Sequence, residues 1–99
     1  MSNVVFFNSY KLKKGVSVPD FLEAADSLIK EYASKQKGFI SSKIAVDGEM
    51  WADFTVFETM EDAKAFAEGN DESSLAEKFY SFLNLNSCVT RFYSVEGSY

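Results

Sequence analysis

The sequence predicts an α+β domain of βαββαβ order, with one four-stranded antiparallel sheet and its helices on one face. Three observations predict it. Strand-like and helix-like hydrophobic periods follow one another along the chain in that order. Asp47-Gly48 separates two strand-like runs as a tight hairpin turn. Two helix starts, at Ser17 and Thr59, precede apolar positions at helical spacing. With 99 residues, the whole chain (1–99) makes a single domain.

Val4 to Leu12 is rich in β-branched and aromatic residues and reads as the first strand. Lys13-Lys14-Gly15 breaks it, as a solvated turn with a weak capacity to hold an anion. Ser17-Val18-Pro19-Asp20 starts a helix: Ser17 caps, Pro19 suits the first turn and Asp20 complements the helix dipole. Phe21, Leu22, Ala25, Leu28, Ile29, Tyr32 and Ala33 recur at helical spacing, and Gly38 is the expected stop. Phe39 to Val46 and Glu49 to Phe57 form the hairpin. Thr59-Met60-Glu61-Asp62 begins a short helix that Gly69-Asn70-Asp71 interrupts. Ser74 to Leu83 is a further helical stretch, Asn84 and Asn86 break it, and Ser87 to Val95 is the last strand. Right-handed crossovers then give a ferredoxin-like sandwich.

Composition excludes several classes of function. A net charge of −5 disfavours nucleic acid and anionic membranes as partners. No run approaches the length of a membrane span, and Val4 to Phe7 is too short for a signal peptide. Cys88 is the one cysteine, so no disulfide forms within the chain, and a cytoplasmic location is expected. The chain has no histidine, which removes the usual general base and the imidazole ligand of zinc or haem. The acids Glu61, Asp62, Glu68, Asp71, Glu72 and Glu77 follow no calcium-loop pattern and read as a solvated face, so no metal site is expected.

Alternation across the strands separates two apolar faces. Val4, Phe6, Asn8, Tyr10 and Leu12 share one side of the first strand. A two-residue turn at Asp47-Gly48 adds Ile40, Ile44, Trp51, Asp53, Thr55 and Phe57 to it. Phe7, Phe39, Met50, Phe54 and Val56 fall on the other. The helices cover only one face. The second would leave aromatic and aliphatic side chains in water, at a cost of about 25 cal/mol per Å2, so pairing sheet to sheet in a homodimer is expected.

With the elements placed, the chain resembles the dimeric α/β-barrel superfamily, and within it the antibiotic-biosynthesis-monooxygenase-like domains. The resemblance rests on the strand running through Asn8-Ser9-Tyr10-Lys11-Leu12-Lys13-Lys14-Gly15, on Lys37-Gly38-Phe39, and on Asp53 through Ala63, which leads from the third strand into a helix. It implies a ligand between the sheet and the helices of each subunit. Cofactor-free members of such families oxidise polycyclic aromatic substrates, and related members degrade haem. This chain is similar to the haem-degrading branch at Asn8, but it has Phe57 where that branch has tryptophan and no histidine around Ala76 to Phe79. No cofactor is therefore expected.

Asn8, Tyr10, Asp53 and Thr55 are the leading candidate site residues, as polar groups on the helix-facing side of an apolar sheet. Polar strand ends that are merely hydrated are the competing reading. Tyr32, Trp51 and Phe57 would line the same space, or serve as ordinary aromatic core. Arg91 would hold a ligand carboxylate, or pair with a surface acid. Asp53 alone among the acids sits inside a strong strand, and burial would make it a base. Asn8 and Trp51 are the counterparts, in residue type, of groups that orient substrate or oxygen. Cys88 reads as a small buried hydrophobe. The expected function is a homodimeric protein that binds a small apolar or aromatic ligand, with cofactor-independent monooxygenation of aromatic or lipid-like substrates as its catalytic form. The alternatives are a non-catalytic structural or regulatory dimerisation module and, last, RNA binding through Phe6, Trp51 and Phe54.

Overall fold

The computed structural model describes residues 3–69 and 73–99. The elements are β1 (Val4–Leu12), α1 (Val18–Glu31), a 3-10 turn (Ala33–Lys35), β2 (Phe39–Asp47), β3 (Met50–Phe57), α2 (Met60–Gly69), α3 (Ser74–Tyr80) and β4 (Leu83–Ser94). The sheet order is β2-β3-β1-β4, and every neighbouring pair is antiparallel. The α+β, ferredoxin-like expectation holds. Among the described residues, no helix is long and apolar enough to cross a membrane.

Each helix begins where a side chain satisfies a free backbone donor. Ser17 Oγ accepts from Asp20 N at 3.3 Å, Thr59 Oγ1 from Asp62 N at 3.0 Å, and Ser73 Oγ from Ala76 N at 3.3 Å. The helices pack on the side of the sheet that carries Val4, Phe6, Tyr10 and Phe57. Two core clusters result. One gathers Tyr10, Phe21, Leu28, Phe79 and Leu83; the other gathers Val4, Phe6, Ala33, Phe57 and Phe66.

Four boundaries differ from the sequence expectations, each for a local reason. α1 stops at Glu31, before Gly38, because Tyr32 leaves helical geometry (φ −127°, ψ −62°) and its ring packs on Phe66. Gly38, at φ +81°, instead turns the chain into β2. The hairpin loop is Gly48-Glu49, since Asp47 pairs with Met50; the shift is two residues, so the faces are unchanged. A bulge between Phe39 and Ser41 does exchange two faces: Phe39 pairs with Phe57 in the core, and Ile40 is 46% exposed. β4 begins at Leu83, because that side chain is buried and pairs with Leu12, while α3 ends at Tyr80. The residues read as breakers, Asn84 and Asn86, lie at a second bulge, where residues 85–88 fall outside the register with β1 and Ser87 Oγ accepts from Lys11 N at 2.8 Å. The break read at Gly69-Asn70-Asp71 lies, beyond Gly69, outside the described residues.

Asp62 is also corrected. Its side chain is only 10% exposed, with Lys37 Nζ at 4.0 Å. It is buried because Gly38 leaves room: a Cβ there would overlap the Asp62 carboxylate. Asp71 and Glu72 of the same acidic group lie outside the described residues.

Candidate functional site

The site grows out of the alternation of β1. Asn8 and Tyr10 are two residues apart and share its helix-facing side. β3 places Asp53 opposite Asn8 and Trp51 opposite Tyr10. β4 places Thr90 opposite Asn8. One row across the middle of the sheet therefore carries Asp53, Asn8 and Thr90 side by side.

These groups form a hydrogen-bonded chain. Thr90 Oγ1 donates to Asn8 Oδ1 at 2.7 Å, which orients the amide. Asn8 Nδ2 then donates to Asp53 Oδ1 at 3.0 Å, and the Tyr10 hydroxyl donates to Asp53 Oδ2 at 2.9 Å. Each carboxylate oxygen holds one donor and keeps a lone pair for another. Beside this chain, the hydroxyls of Ser42 and Thr55 lie 2.9 Å apart.

A cavity of about 350 Å3 opens against these residues, at the boundary between the two core clusters. Phe6, Leu28, Phe66, Phe79 and Phe92 are among its apolar wall residues, and Asn8, Tyr10, Ser42, Asp53, Thr55 and Thr90 are its polar points. An apolar space with a few convergent polar groups is the usual form of a small-molecule site.

Burial pushes the Asp53 pKa up to about 6, against the donors Asn8 and Tyr10, which pull it down. Asp53 is partly buried and lines the cavity. Its carboxyl group therefore changes charge just below neutral pH. The Tyr10 hydroxyl is held far above its usual range, by burial first and then by the negative charge of Asp53, so it stays a donor. Burial, and then Asp53, also raise the Cys88 thiol, which lines the cavity. Cys88 is thus protonated at neutral pH and lacks the thiolate a nucleophile needs.

Among the residues singled out from sequence, Asn8, Tyr10, Asp53 and Thr55 come together in the cavity wall. Trp51 faces the helices but lies outside that wall. Its ring packs 5.1 Å from Phe21, and it borders a separate groove at the end of the sheet. Phe57 is fully buried between Phe39 and Phe66. Tyr32 packs against both core clusters without lining the cavity. Arg91 requires a correction. It pairs with Phe7 on the exposed face of the sheet, and its guanidinium donates to Thr90 O at 3.2 Å, so it does not reach the cavity. Of the aromatics considered for base stacking, Phe6 and Trp51 face the helices and only Phe54 lies on the open face.

Ser42 and Thr90 were missed. Ser42 shares parity with Ile44, so its position was available from alternation. Thr90 depends on the register of β4 against β1, which the bulge at residues 85–88 hides.

No family model matches the sequence, and no curated protein matches it. Solved structures do match. SnoaB, a cofactor-independent oxygenase from Streptomyces nogalater, superposes with a TM-score of 0.80 at 9% identity, covering 99% of this chain and 97% of its own. The monooxygenase ActVA-Orf6 of Streptomyces coelicolor, in complex with nanaomycin D, gives 0.75 at 14% identity, with 99% and 91% covered. NE2512 of Nitrosomonas europaea, of unknown function, gives 0.72 at 17% identity, with 100% and 94% covered. The chain has the ferredoxin-like α+β fold of the antibiotic-biosynthesis-monooxygenase-like proteins.

Proposed function

We propose that the protein is a homodimer that takes a small, mainly apolar aromatic ligand into the sheet–helix cavity and oxygenates it without a cofactor. The observation that carries this reading is Asp53. It is a carboxyl group in the wall of an apolar cavity, with a pKa near 6 and with each oxygen held by one donor. A base of that strength is matched to proton transfer near neutral pH.

On this reading a phenolic hydroxyl of the ligand donates to the free lone pair of Asp53, which takes its proton. The phenolate then gives electrons to dioxygen directly. One oxygen atom joins the ring as a quinone carbonyl and the other leaves as water, so a phenol and dioxygen give a quinone and water. Asn8 and Tyr10 hold the carboxylate in place, Thr90 orients Asn8, and the aromatic wall keeps water from the reacting carbon. The oxygenase activity named for SnoaB and the ligand held by ActVA-Orf6 support the class of chemistry. The cavity also favours binding over a purely structural module, whose core would be filled.

The open face supports the homodimer. Phe54 is 38% exposed and Tyr93 51% exposed, and both rings gather on Phe7, with centroids 5.3 and 6.0 Å away.

A panel of naphthols, hydroquinones and fatty acids tests the reading by thermal shift and oxygen uptake. At least one flat phenol is expected to raise the melting temperature and to consume dioxygen. No shift across the panel, with no ligand carried by the purified protein in native mass spectrometry, would contradict it.

A further inference from the structure

A second concave surface adjoins the cavity and is not used in the mechanism above. It is a groove at the end of the sheet, between the turn after β1 and the start of β4. Leu12, Val16, Val18 and Trp51 supply its apolar side. Leu83 and Leu85 line both the groove and the cavity, so the two spaces share a wall. Leu85 is 63% exposed and stands in the bulge of β4, outside the paired register, beside the point where Ser87 Oγ accepts from Lys11 N at 2.8 Å.

The charge of the groove is opposite to that of the protein. Lys11, Lys13 and Lys14 line it against one acid, Glu49, in a chain whose net charge is −5. All three lysines are exposed, and the turn that carries two of them follows β1 directly. Asn8, opposite Asp53, and Lys11 are three residues of strand apart, about 10 Å, so the nearest lysine stands roughly the length of a two- or three-ring aromatic from Asp53. The cavity and the groove have opposite preferences. Ionised Asp53 repels an anion from the cavity, and the lysines attract one to the groove.

We propose that the cavity continues into this groove and that its ligand is an aromatic acid, with the ionised carboxylate at Lys11, Lys13 and Lys14 and the hydroxyl-bearing end at Asp53. The inference rests on the cavity reading above and adds the substrate class and its orientation. The lysines set which end enters first. Glu49, at the same rim, weakens the attraction, and its removal strengthens it.

Calorimetric titration of the intact protein with 6-hydroxy-2-naphthoate and with the neutral 6-hydroxy-2-naphthamide tests this. In low salt the acid is expected to bind about tenfold more tightly than the amide, a difference in keeping with two or three exposed charge pairs. The preference shrinks at physiological ionic strength. The triple variant Lys11→Gln/Lys13→Gln/Lys14→Gln loses the preference and keeps its affinity for the amide; Glu49→Gln widens it. Equal binding of acid and amide by the wild type, or a preference that survives in the triple variant, overturns the aromatic-acid assignment and leaves the cavity reading standing. Absence of binding by both probes contradicts both.

Discussion

Asp53→Asn is expected to lower turnover by about a hundredfold to ten-thousandfold while leaving ligand affinity within a few-fold of the wild type. The change is nearly isosteric. Asn8 Nδ2 can still donate to the remaining carbonyl oxygen, and the Tyr10 hydroxyl can turn to accept from the new amide. The cavity therefore keeps its shape, and only the acceptor of the proton is lost. In the wild type, kcat/KM is expected to rise with pH through about 6, as Asp53 ionises. The variant loses that limb. Wild-type turnover in the variant would mean that the base lies elsewhere.

The same substitution has an opposite effect on stability. Burial raises the Asp53 pKa from 3.8 to about 6, so the folded chain holds a proton that the unfolded chain has already released between those values. Stability then falls as pH rises through that window and is level above it; below it both states are protonated and the group contributes nothing. The full shift corresponds to about 3 kcal/mol, and water reaching the carboxylate through the cavity reduces this to about 1–2 kcal/mol. Asp53→Asn should therefore be more stable than the wild type at pH 7 and nearly equal to it at pH 3.5, by denaturant titration. A gain in stability with a loss of turnover is the pattern of a group kept for chemistry at a cost to the fold.

Phe54→Lys is expected to convert a dimer into a monomer. Phe54 sits in a row across the open face, between Lys43 of β2 and Phe7 of β1, with Arg91 of β4 beyond. A lysine there removes a ring that packs 5.3 Å from Phe7 and adds a third cation to a row that already has two. Burying that charge between two sheets without a partner costs several kcal/mol, comparable to what the apolar contact contributes. Because the side chain is on the open face, the core under the helices is untouched. Sedimentation at micromolar concentration should give twice the 11.1 kDa chain mass for the wild type and 11.1 kDa for the variant. A wild-type chain that sediments at 11.1 kDa would contradict the homodimer.

The strand faces were legible wherever alternation ran unbroken. β1 is the clearest case: Asn8 and Tyr10 fall among Val4, Phe6 and Leu12, so their inward direction follows from parity alone. Asp53 and Thr55 follow from a hairpin whose two-residue shift preserves parity. Sequence reading failed where a bulge changes the count. Phe39 and Ile40 exchange faces at one bulge, and Thr90 is hidden by the other, because bulges are set by pairing with a neighbouring strand and carry no local hydrophobic signature. Arg91 was misplaced for a different reason. Both faces of this sheet are apolar, so Val89 and Tyr93 around it look like core positions although they belong to the open face. Trp51 and Phe57 were read on the correct side of the sheet and as part of the cavity wall, but the structure puts both outside that wall, because its course depends on how the helices divide the core. The capping residues Ser17 and Thr59 were read correctly because their chemistry is local.

Titration of the Asp53 carboxyl carbon by NMR, with and without a bound phenol, is the most direct test of the central claim, that a cavity-facing carboxyl group is poised to take a proton from the ligand. The account predicts a midpoint near 6 in the free protein and a clear shift of that resonance when the phenol binds. A midpoint near 4 that does not respond to ligand would contradict it.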